Sequence, residues 1–270
     1  MVKDTAAMLG DPPAFDVLER LATSTDIGDR AFAASALSLR RRAEDRERVA
    51  ILYERIRETA RSRHAELRER IRDGALDIHA FVAHLRETPL EIRDHLVEEI
   101  LDIAYPPLQE APLPREAIHY CPSGLAEILF MVEKAHLHPG RTLVDLGSGL
   151  GKVVLLAALL TGARAYGVEL DPDLVARARS AAQALHLDNA SFIEGDIRDV
   201  PLPPADVYYM YIPLIRSTDM VARLTALAAE RRILVFSQAL DLRHLPWLRA
   251  GNAASYWLEM YEARGKGLHG

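Results

Sequence analysis

The spacing of apolar residues changes along the chain and predicts two regions of different architecture. Between residues 14 and 104, apolar positions recur every three or four residues, which is the period of amphipathic helices. No proline or glycine interrupts the stretch from Asp29 to about Arg72. A narrow apolar seam runs along it at Val49, Leu52, Ile56, Leu67 and Ile71. The seam predicts packing against neighbouring helices or a second subunit, and it also allows a long coiled coil.

A proline-rich stretch separates the helical region from the remainder of the chain. Residues 105–114 contain four prolines, which is typical of a linker. We therefore predict an all-helical N-terminal domain over residues 1–110 and a second domain over residues 111–270.

The second region alternates short apolar strands with helices. The predicted strands are Thr142–Leu146, Ala165–Leu170, Ser191–Glu194, Asp206–Tyr211 and Arg232–Ser237, with a final edge strand at Ser255–Tyr261. The predicted helices between them lie at about 151–161, 172–186 and 216–229. This alternation predicts an α/β fold, a Rossmann-like parallel sheet with helices on both faces.

Composition and charge narrow the class of protein. The net charge of -6 and the pI near 5.9 give no general attraction to nucleic acid or anionic membranes. The single cysteine, Cys121, excludes a disulfide within the chain and suits a reducing compartment. The longest strictly apolar run, Val153–Leu160, is too short to cross a bilayer. We therefore expect a soluble, cytoplasmic protein without a membrane partner.

One segment is locally basic. Residues 40–72 hold 12 arginines and 7 acidic residues. Because the acids are interspersed and Tyr53 is the only aromatic residue there, nucleic-acid binding is disfavoured. A solvated helix with many ion pairs is the favoured interpretation.

A glycine-rich turn comes directly after the first predicted strand. Gly147, Gly149 and Gly151 occupy alternate positions where the backbone must turn sharply and let a ligand lie against it. The third glycine comes one residue earlier than in the G-x-G-x-x-G pattern of dinucleotide enzymes, so the loop suits a ligand without a pyrophosphate. An ordinary tight turn is the alternative interpretation.

A phosphate-binding loop is excluded at the same place. Leu146 stands where that motif requires its first glycine, and Val153 replaces the Ser or Thr that would bind magnesium. We expect Lys152 to be a surface residue in the first turn of the next helix.

Acidic residues close the next two strands. Glu169 lies 22 residues after Gly147, where a carboxylate can hold ribose hydroxyls. Asp196 closes the third strand, where a carboxylate can accept a hydrogen bond from an adenine amino group. Either acid alone could be a solvated strand end. Together with the glycine turn, they predict an adenosine site at the carboxyl edge of the sheet.

These motifs resemble a known family. Residues 145–151, with Glu169 and Asp196, resemble the class I methyltransferases. The longer run 144–158, continued by 166–170, is similar to the non-SET histone-lysine methyltransferases of the disruptor of telomeric silencing type. Weaker likenesses are the run 255–258 and the pair formed by Tyr120 and Glu127. The resemblance covers about residues 118–262.

The resemblance implies S-adenosylmethionine as the cofactor. It implies a cofactor site composed of Tyr120, Glu127, Asp145, Gly147, Ser148, Gly149, Gly151, Glu169, Leu170, Asp196 and Ile197. Asp145 would help to hold the methionine amino group, Glu169 the ribose, and Asp196 with Ile197 the adenine. Methyl transfer requires no metal, and no metal-ligating cluster is evident.

The acceptor side matches the family less well. Residues 208–213 contain neither the Asn-Asn-Phe of the histone enzymes nor the Asn-Pro-Pro-Tyr of amide and exocyclic-amine methyltransferases. The aromatic residues that could form an acceptor wall are Tyr208, Tyr209, Tyr211, Tyr256 and Trp257. Packing in the core is an equally good interpretation of the strand tyrosines. We expect Tyr211 to be the catalytic acceptor-site residue.

The main functional hypothesis is methyl transfer from S-adenosylmethionine to a nitrogen atom, with a protein lysine favoured by the resemblance. One alternative is a small-molecule methyltransferase in which the helical region acts as a lid. Another is a cofactor-binding module without catalysis. The apolar seam of the helical region also allows a dimer through the N-terminal helices.

Overall fold

The computed structural model describes residues 13–40, 43–104, 120–211, 218–238, 240–254 and 258–263. They belong to two compact units. Met1–Arg70 and Leu76–Leu108 define a helical unit, and Ile71–Ala75 and Gln109–Gly270 define a sheet unit. No helix in the described part of the chain has both the length and the apolar character needed to cross a bilayer.

The described part of the first unit contains six α-helices, two of which begin at an aspartate side chain that caps them. They are α1 (Phe15–Ala22), α2 (Ile27–Ser38), α3 (Arg46–Arg63), α4 (Ala65–Arg72), α5 (Ile78–Glu87) and α6 (Leu90–Leu101). The Asp26 side chain accepts hydrogen bonds from the backbone N–H of Gly28 at 2.7 Å and of Asp29 at 3.2 Å, and so starts α2. Asp77 caps α5 in the same way, by accepting from the N–H of Ala80 at 3.0 Å.

The stretch without proline or glycine is not one continuous rod. It is divided into α2, α3 and α4, with breaks between Ser38 and Arg46 and at His64. Val49, Leu52 and Ile56 of α3 are fully buried in one cluster with apolar residues of α1 and α2. A single rod would leave this seam in water, whereas folding back buries it. The seam therefore packs on neighbouring helices of the same chain, and the coiled-coil interpretation is wrong for these residues.

The arginines of the basic segment form ion pairs within the chain. Arg57 and Arg61 both bind Glu54, at 2.8 and 3.0 Å, and both bind Asp102, at 3.3 and 2.8 Å. Arg48 pairs with Glu19. The described arginines of this segment thus agree with the ion-paired interpretation.

A buried ion pair joins α2 to α6. The Arg30 guanidinium donates to both carboxylate oxygens of Glu99, at 2.8 and 2.6 Å, and each residue is only 1% exposed. His64 Nε2 lies 3.1 Å from one of the same oxygens. Burial alone would raise the pKa of Glu99, but the hydrogen bonds from Arg30 and His64 outweigh it and lower the pKa. The pair therefore holds a charged carboxylate inside the helical unit.

This pair leads to a prediction about stability. Glu99→Gln should destabilise the protein by about 3–5 kcal/mol, because it leaves the Arg30 charge buried without a counter-charge. Urea unfolding monitored by circular dichroism measures the loss. The control is Glu19→Gln, whose ion pair with Arg48 has side chains 39% and 52% exposed and should contribute about 1 kcal/mol or less. Equal losses for the two variants would contradict the assigned role.

The sheet unit contains one seven-stranded sheet. The strands are β1 (Thr142–Leu146), β2 (Arg164–Glu169), β3 (Ala190–Glu194), β4 (Val207–Tyr211), β5 (Ile233–Gln238), β6 (Leu248–Ala254) and β7 (Leu258–Ala263). Their order is β3-β2-β1-β4-β5-β7-β6. The first five strands pair in parallel, and β7 is antiparallel to both β5 and β6. The helices are α7 (Leu125–Lys134), α8 (Lys152–Thr161), α9 (Pro172–Ala184) and α10 (Thr218–Glu230). The predicted Rossmann-like α/β fold is confirmed.

The last predicted strand is displaced and is not an edge. The structure places β7 at Leu258–Ala263, between β5 and β6, and residues 255–257 lie outside the described part. The edge strand is β6, which the sequence pattern did not predict. Its sequence, Leu248–Ala254, has no regular apolar alternation, and it is held by pairing with β7, a contact that local periodicity does not report.

Side chains of β4 alternate between the two faces of the sheet. Tyr208 and Met210 join Val144 and Leu224 in the apolar core on the α10 side. Tyr209 stands in register with Asp145 of β1, on the opposite face. This second face carries the polar residues of the candidate site.

Candidate functional site

The glycine-rich loop begins directly after β1. The backbone N–H groups of Gly147 and Ser148 both donate to the carbonyl of Val168, at 2.9 and 3.0 Å, which ties the loop to β2. Gly147, Gly149 and Gly151 have φ angles of 84°, 54° and 79°, in the left-handed region that favours glycine. The predicted sharp turn is therefore present.

Two aromatic rings of the chain itself lie against this loop. A Cβ atom at Gly149 would come within 2.3 Å of the Tyr120 ring, and one at Gly151 within 2.5 Å of the Phe192 ring. The glycines thus make room for side chains of the protein as well as for the turn. The sequence pattern predicted the turn and the approach of a ligand, but not the contacts with these two rings.

Gly167 and Phe192 were not predicted as part of the site. A Cβ at Gly167 would come within 2.4 Å of Ser148 Oγ and 2.8 Å of the Phe192 ring. Gly167 of β2 stands in register with Phe192 of β3, and both lie against the glycine-rich loop. A glycine inside a buried strand is the sequence signal that could have indicated such a close approach.

Two residues of the loop region are buried polar groups. Ser148 is buried, and its Oγ has no hydrogen-bond partner among the described residues. Lys152 is only 3% exposed, so its predicted surface position is wrong. The reason is that α8 is apolar on all sides and packs in the interior of the unit. Its first turn, which contains Lys152, is therefore buried as well.

Two carboxyl groups lie beside the loop, the buried Asp145 and the partly buried Glu169. Glu169 accepts from the N–H of Gly149 at 2.8 Å and from those of Leu170 and Asp171 at 2.7 and 2.9 Å. Burial nevertheless outweighs these bonds and raises the pKa of Glu169. Burial, together with the smaller effect of the Glu169 charge, raises the pKa of Asp145 well above its usual range. The site therefore brings together two acids whose ionised forms are disfavoured by burial and would be stabilised by a cationic ligand.

Asp196 has a partner that the sequence pattern did not indicate. The Arg198 side chain donates to both of its carboxylate oxygens, at 2.6–3.0 Å, and this pairing is the main reason that the pKa of Asp196 is lowered. Carboxylate oxygens have two lone pairs each, so Asp196 keeps capacity for a further donor. The side chain of its neighbour Ile197 is buried in the apolar core on the α10 side.

Of the five residues predicted to form the acceptor wall, only Tyr211 is both described and partly exposed. Tyr208 and Tyr209 are 0% exposed, so the core-packing interpretation holds for both. Tyr256 and Trp257 lie outside the described residues. Tyr211 ends β4 and is partly exposed, with its hydroxyl 3.6 Å from Cys121 Sγ.

Tyr211 is a neutral phenol at physiological pH. The hydrogen bond with Cys121, together with the smaller effect of burial, raises the pKa of Tyr211 to about 12. The negative charge of Glu127 acts on both Tyr209 and Tyr211 and raises the pKa of each. Tyr211 can therefore orient a nucleophile through its hydroxyl, but it cannot serve as a phenolate base.

Comparison with known proteins identifies the domain that contains this site. Residues 137–231 match the family model described as "Methyltransferase domain". These residues therefore belong to a methyltransferase domain of the class I S-adenosylmethionine-dependent type.

The methyltransferase domain also has sequence relatives. It is 32% identical over 126 residues to the probable ribosomal RNA small subunit methyltransferase A of Methanospirillum hungatei, covering 45% of this chain and 48% of that protein. It is 33% identical over 113 residues to the protein-L-isoaspartate O-methyltransferase of Ignicoccus hospitalis, covering 41% and 51%. The chain thus spans about half the length of these relatives.

A solved structure is also similar to part of this chain. It is the RNA methyltransferase from Salinibacter ruber in complex with S-adenosyl-L-homocysteine, at 28% identity and a TM-score of 0.45. The match covers 54% of this chain and 95% of that one.

The raised pKa of Asp145 leads to a prediction about pH and stability in the methyltransferase domain. Between its ordinary pKa and the raised folded-state pKa, the folded protein binds more protons than the unfolded chain, so stability falls as pH rises through that window. Asp145→Asn removes the buried charge. It should raise the melting temperature at pH 8, with a difference from the unmodified protein that shrinks towards pH 4. Differential scanning calorimetry at several pH values measures it.

Asp206→Asn is the matched control. The Asp206 carboxylate accepts from the N–H of Thr142 and from Arg231, both at 2.9 Å, at the opposite end of the strands. Its removal should lower the melting temperature at pH 8. An equal loss of stability in Asp145→Asn would show that Asp145 is a structural acid.

Proposed function

We propose that this chain transfers a methyl group from S-adenosylmethionine to an acceptor nitrogen, with a protein lysine as the acceptor. The observation that carries the proposal is a pair of acids, the buried Asp145 and the partly buried Glu169, beside a left-handed glycine loop at the carboxyl edge of the parallel strands. In open α/β sheets, ligands bind at this edge.

The residues present fit this cofactor. S-adenosylmethionine supplies a methyl group attached to a positively charged sulfur. Two acids whose pKa values are raised by burial fit a cationic ligand better than a neutral one, because the ligand would stabilise their ionised forms. The buried Ser148 hydroxyl, which has no described partner, is a further polar group available to a ligand.

Each acid has a distinct part of the cofactor in this proposal. Asp145 would hold the methionine amino group, and Glu169 would accept hydrogen bonds from the ribose hydroxyls. Asp196 would accept one from the adenine amino group while Arg198 keeps its carboxylate ionised. Tyr120, whose ring packs on Gly149, would cover the loop from the side opposite β2.

The acceptor nitrogen must be neutral, desolvated and aligned with the bond that breaks. In this proposal Tyr211 Oη accepts a hydrogen bond from the incoming amine and directs its lone pair towards the methyl group. Because its pKa of about 12 keeps Tyr211 protonated, the proton lost by the amine must go elsewhere. The Glu127 carboxylate, whose charge acts on Tyr211, is the candidate to receive it.

Two observations support a protein lysine as the acceptor. The run 144–158 is similar to that of non-SET lysine methyltransferases. Within the sheet unit, Tyr211 is partly exposed and Cys121 is exposed, so the acceptor side of β4 is accessible to a side chain presented by another protein. The named relatives act on RNA and on protein, so the acceptor class has to be measured directly.

Isotope labelling tests the acceptor class. Purified protein is incubated with methyl-labelled S-adenosylmethionine and a cell extract, which is then separated into protein, RNA and small-molecule fractions. The proposal predicts base-stable label in protein, recovered as methylated lysine after hydrolysis. Base-labile label would indicate carboxyl methylation, and label confined to RNA or small molecules would contradict the lysine acceptor.

Tyr211→Phe tests the acceptor-site residue. Loss of one hydrogen bond to the amine should lower the methylation rate by about threefold to tenfold. The affinity for S-adenosylmethionine should not change, because Tyr211 is assigned to the acceptor and not to the cofactor. A variant with normal methylation would remove Tyr211 from the site.

A further inference from the structure

The hydroxyl of Tyr209 is the most enclosed polar group on the site face of β4. Tyr209 is 0% exposed, yet its hydroxyl lies 2.9 Å from Ser123 Oγ and 2.7 Å from Gln238 Oε1. Both partners are themselves buried. A buried polar group bonded on two sides is costly to disrupt, because each partner left behind is unsatisfied.

The chemistry of the three groups fixes the direction of the bonds. A phenol has one proton, and an amide oxygen only accepts, so Tyr209 donates to Gln238 Oε1. The Ser123 hydroxyl must then donate to Tyr209. Ser123 thus donates to Tyr209 and Tyr209 donates to Gln238, so each hydrogen bond has one donor and one acceptor.

These bonds join three separate segments of the sheet unit. Tyr209 lies in β4, Gln238 is the last residue of β5, and Ser123 belongs to the short segment Tyr120–Gly124 that precedes α7. Gln238 stands in register with Tyr211, the last residue of β4. The hydrogen bonds of Tyr209 therefore lie just inside the carboxyl edge of the sheet.

The segment Tyr120–Gly124 carries contacts to both halves of the site. Tyr120 packs its ring on Gly149 of the glycine loop, and Cys121 approaches the hydroxyl of Tyr211. Cys121 and Pro122 are exposed, whereas Ser123 is buried. Ser123 is therefore the buried residue through which β4 and β5 hold a segment that is otherwise partly or fully exposed.

We propose that Tyr209, Ser123 and Gln238 are positioning residues that fix the segment Tyr120–Gly124 across the cofactor and acceptor sides of the site. The expected effect on cofactor binding rests on the proposed function. The expected effect on the position of the segment does not depend on that function.

Tyr208 provides a matched control on the same strand. It is also 0% exposed, and its hydroxyl also makes two hydrogen bonds, to the carbonyl of Pro203 at 3.1 Å and from the N–H of Ala205 at 3.2 Å. It points to the α10 side and does not touch the segment. Tyr208→Phe therefore reproduces the burial and the lost bonds of Tyr209→Phe without affecting the proposed anchor.

Cys121 reports on the segment without knowledge of the acceptor, because it is the only cysteine in the chain. The rate of its reaction with a maleimide reports on the position of the segment, because the exposed thiol keeps its contact with the Tyr211 hydroxyl only while the segment is held in place. Tyr209→Phe should raise this rate and weaken S-adenosylmethionine binding, each by about threefold to tenfold. Tyr208→Phe should leave both within about twofold. Equal effects of the two variants, or none in Tyr209→Phe, would overturn the proposal.

Ser123→Ala keeps the test valid if Tyr209→Phe does not fold. On its own it should also raise the labelling rate, and an unchanged rate would overturn the proposal. Where Tyr209→Phe does fold, the double variant should show less than the additive effect, because both substitutions act through one bond, and fully additive effects would overturn the proposal. If the unmodified protein does not bind S-adenosylmethionine, the proposed function fails, while the labelling rates still decide the role of Tyr209.

Discussion

Removal of two acidic side chains from water at one end of the sheet is the constraint on which the site depends. Asp145, the residue before the last in β1, is buried among apolar neighbours, and Glu169 is partly buried and held by three backbone N–H groups of the adjoining turns. Neither arrangement favours folding of the protein alone, because burial opposes ionisation of both acids. Such a cost is commonly found where a protein binds a ligand of opposite charge.

The alternation of side chains along β4 separates structure from chemistry. Tyr208 and Met210 fill the core against α10, while Tyr209 and Tyr211 face the same side as Asp145. The same strand thus completes the core with one face and supplies an anchor and an acceptor-side hydroxyl with the other. The glycine loop also has two roles, since its left-handed residues turn the backbone and leave room for the rings of Tyr120 and Phe192.

The features that sequence predicts well are local. The bounds of β1, the left-handed glycine turn and the alternation of strands with helices all depend on short-range pattern, and the structure contains them. The features that were missed depend on pairing and packing that hydrophobic periodicity does not report. β6 exists through its pairing with β7, Lys152 is buried because most of α8 is buried, and the ion pair of Arg198 with Asp196 lies within one turn.

The aromatic residues illustrate the same limit. Three tyrosines within four positions of β4 were equally compatible with a ligand wall and with core packing, and the structure divides them between the two faces and between buried and exposed positions. Only the register of β4 against β1 and β5 decides which tyrosine meets which partner.

Calorimetric titration of the purified chain tests the central claim most directly. The account predicts that S-adenosylmethionine and S-adenosylhomocysteine bind at one site and that NAD does not bind. It predicts that Asp145→Asn weakens S-adenosylmethionine binding by about tenfold or more while the protein remains folded. Absence of binding by the unmodified chain, or undiminished binding by the folded Asp145→Asn variant, would contradict it.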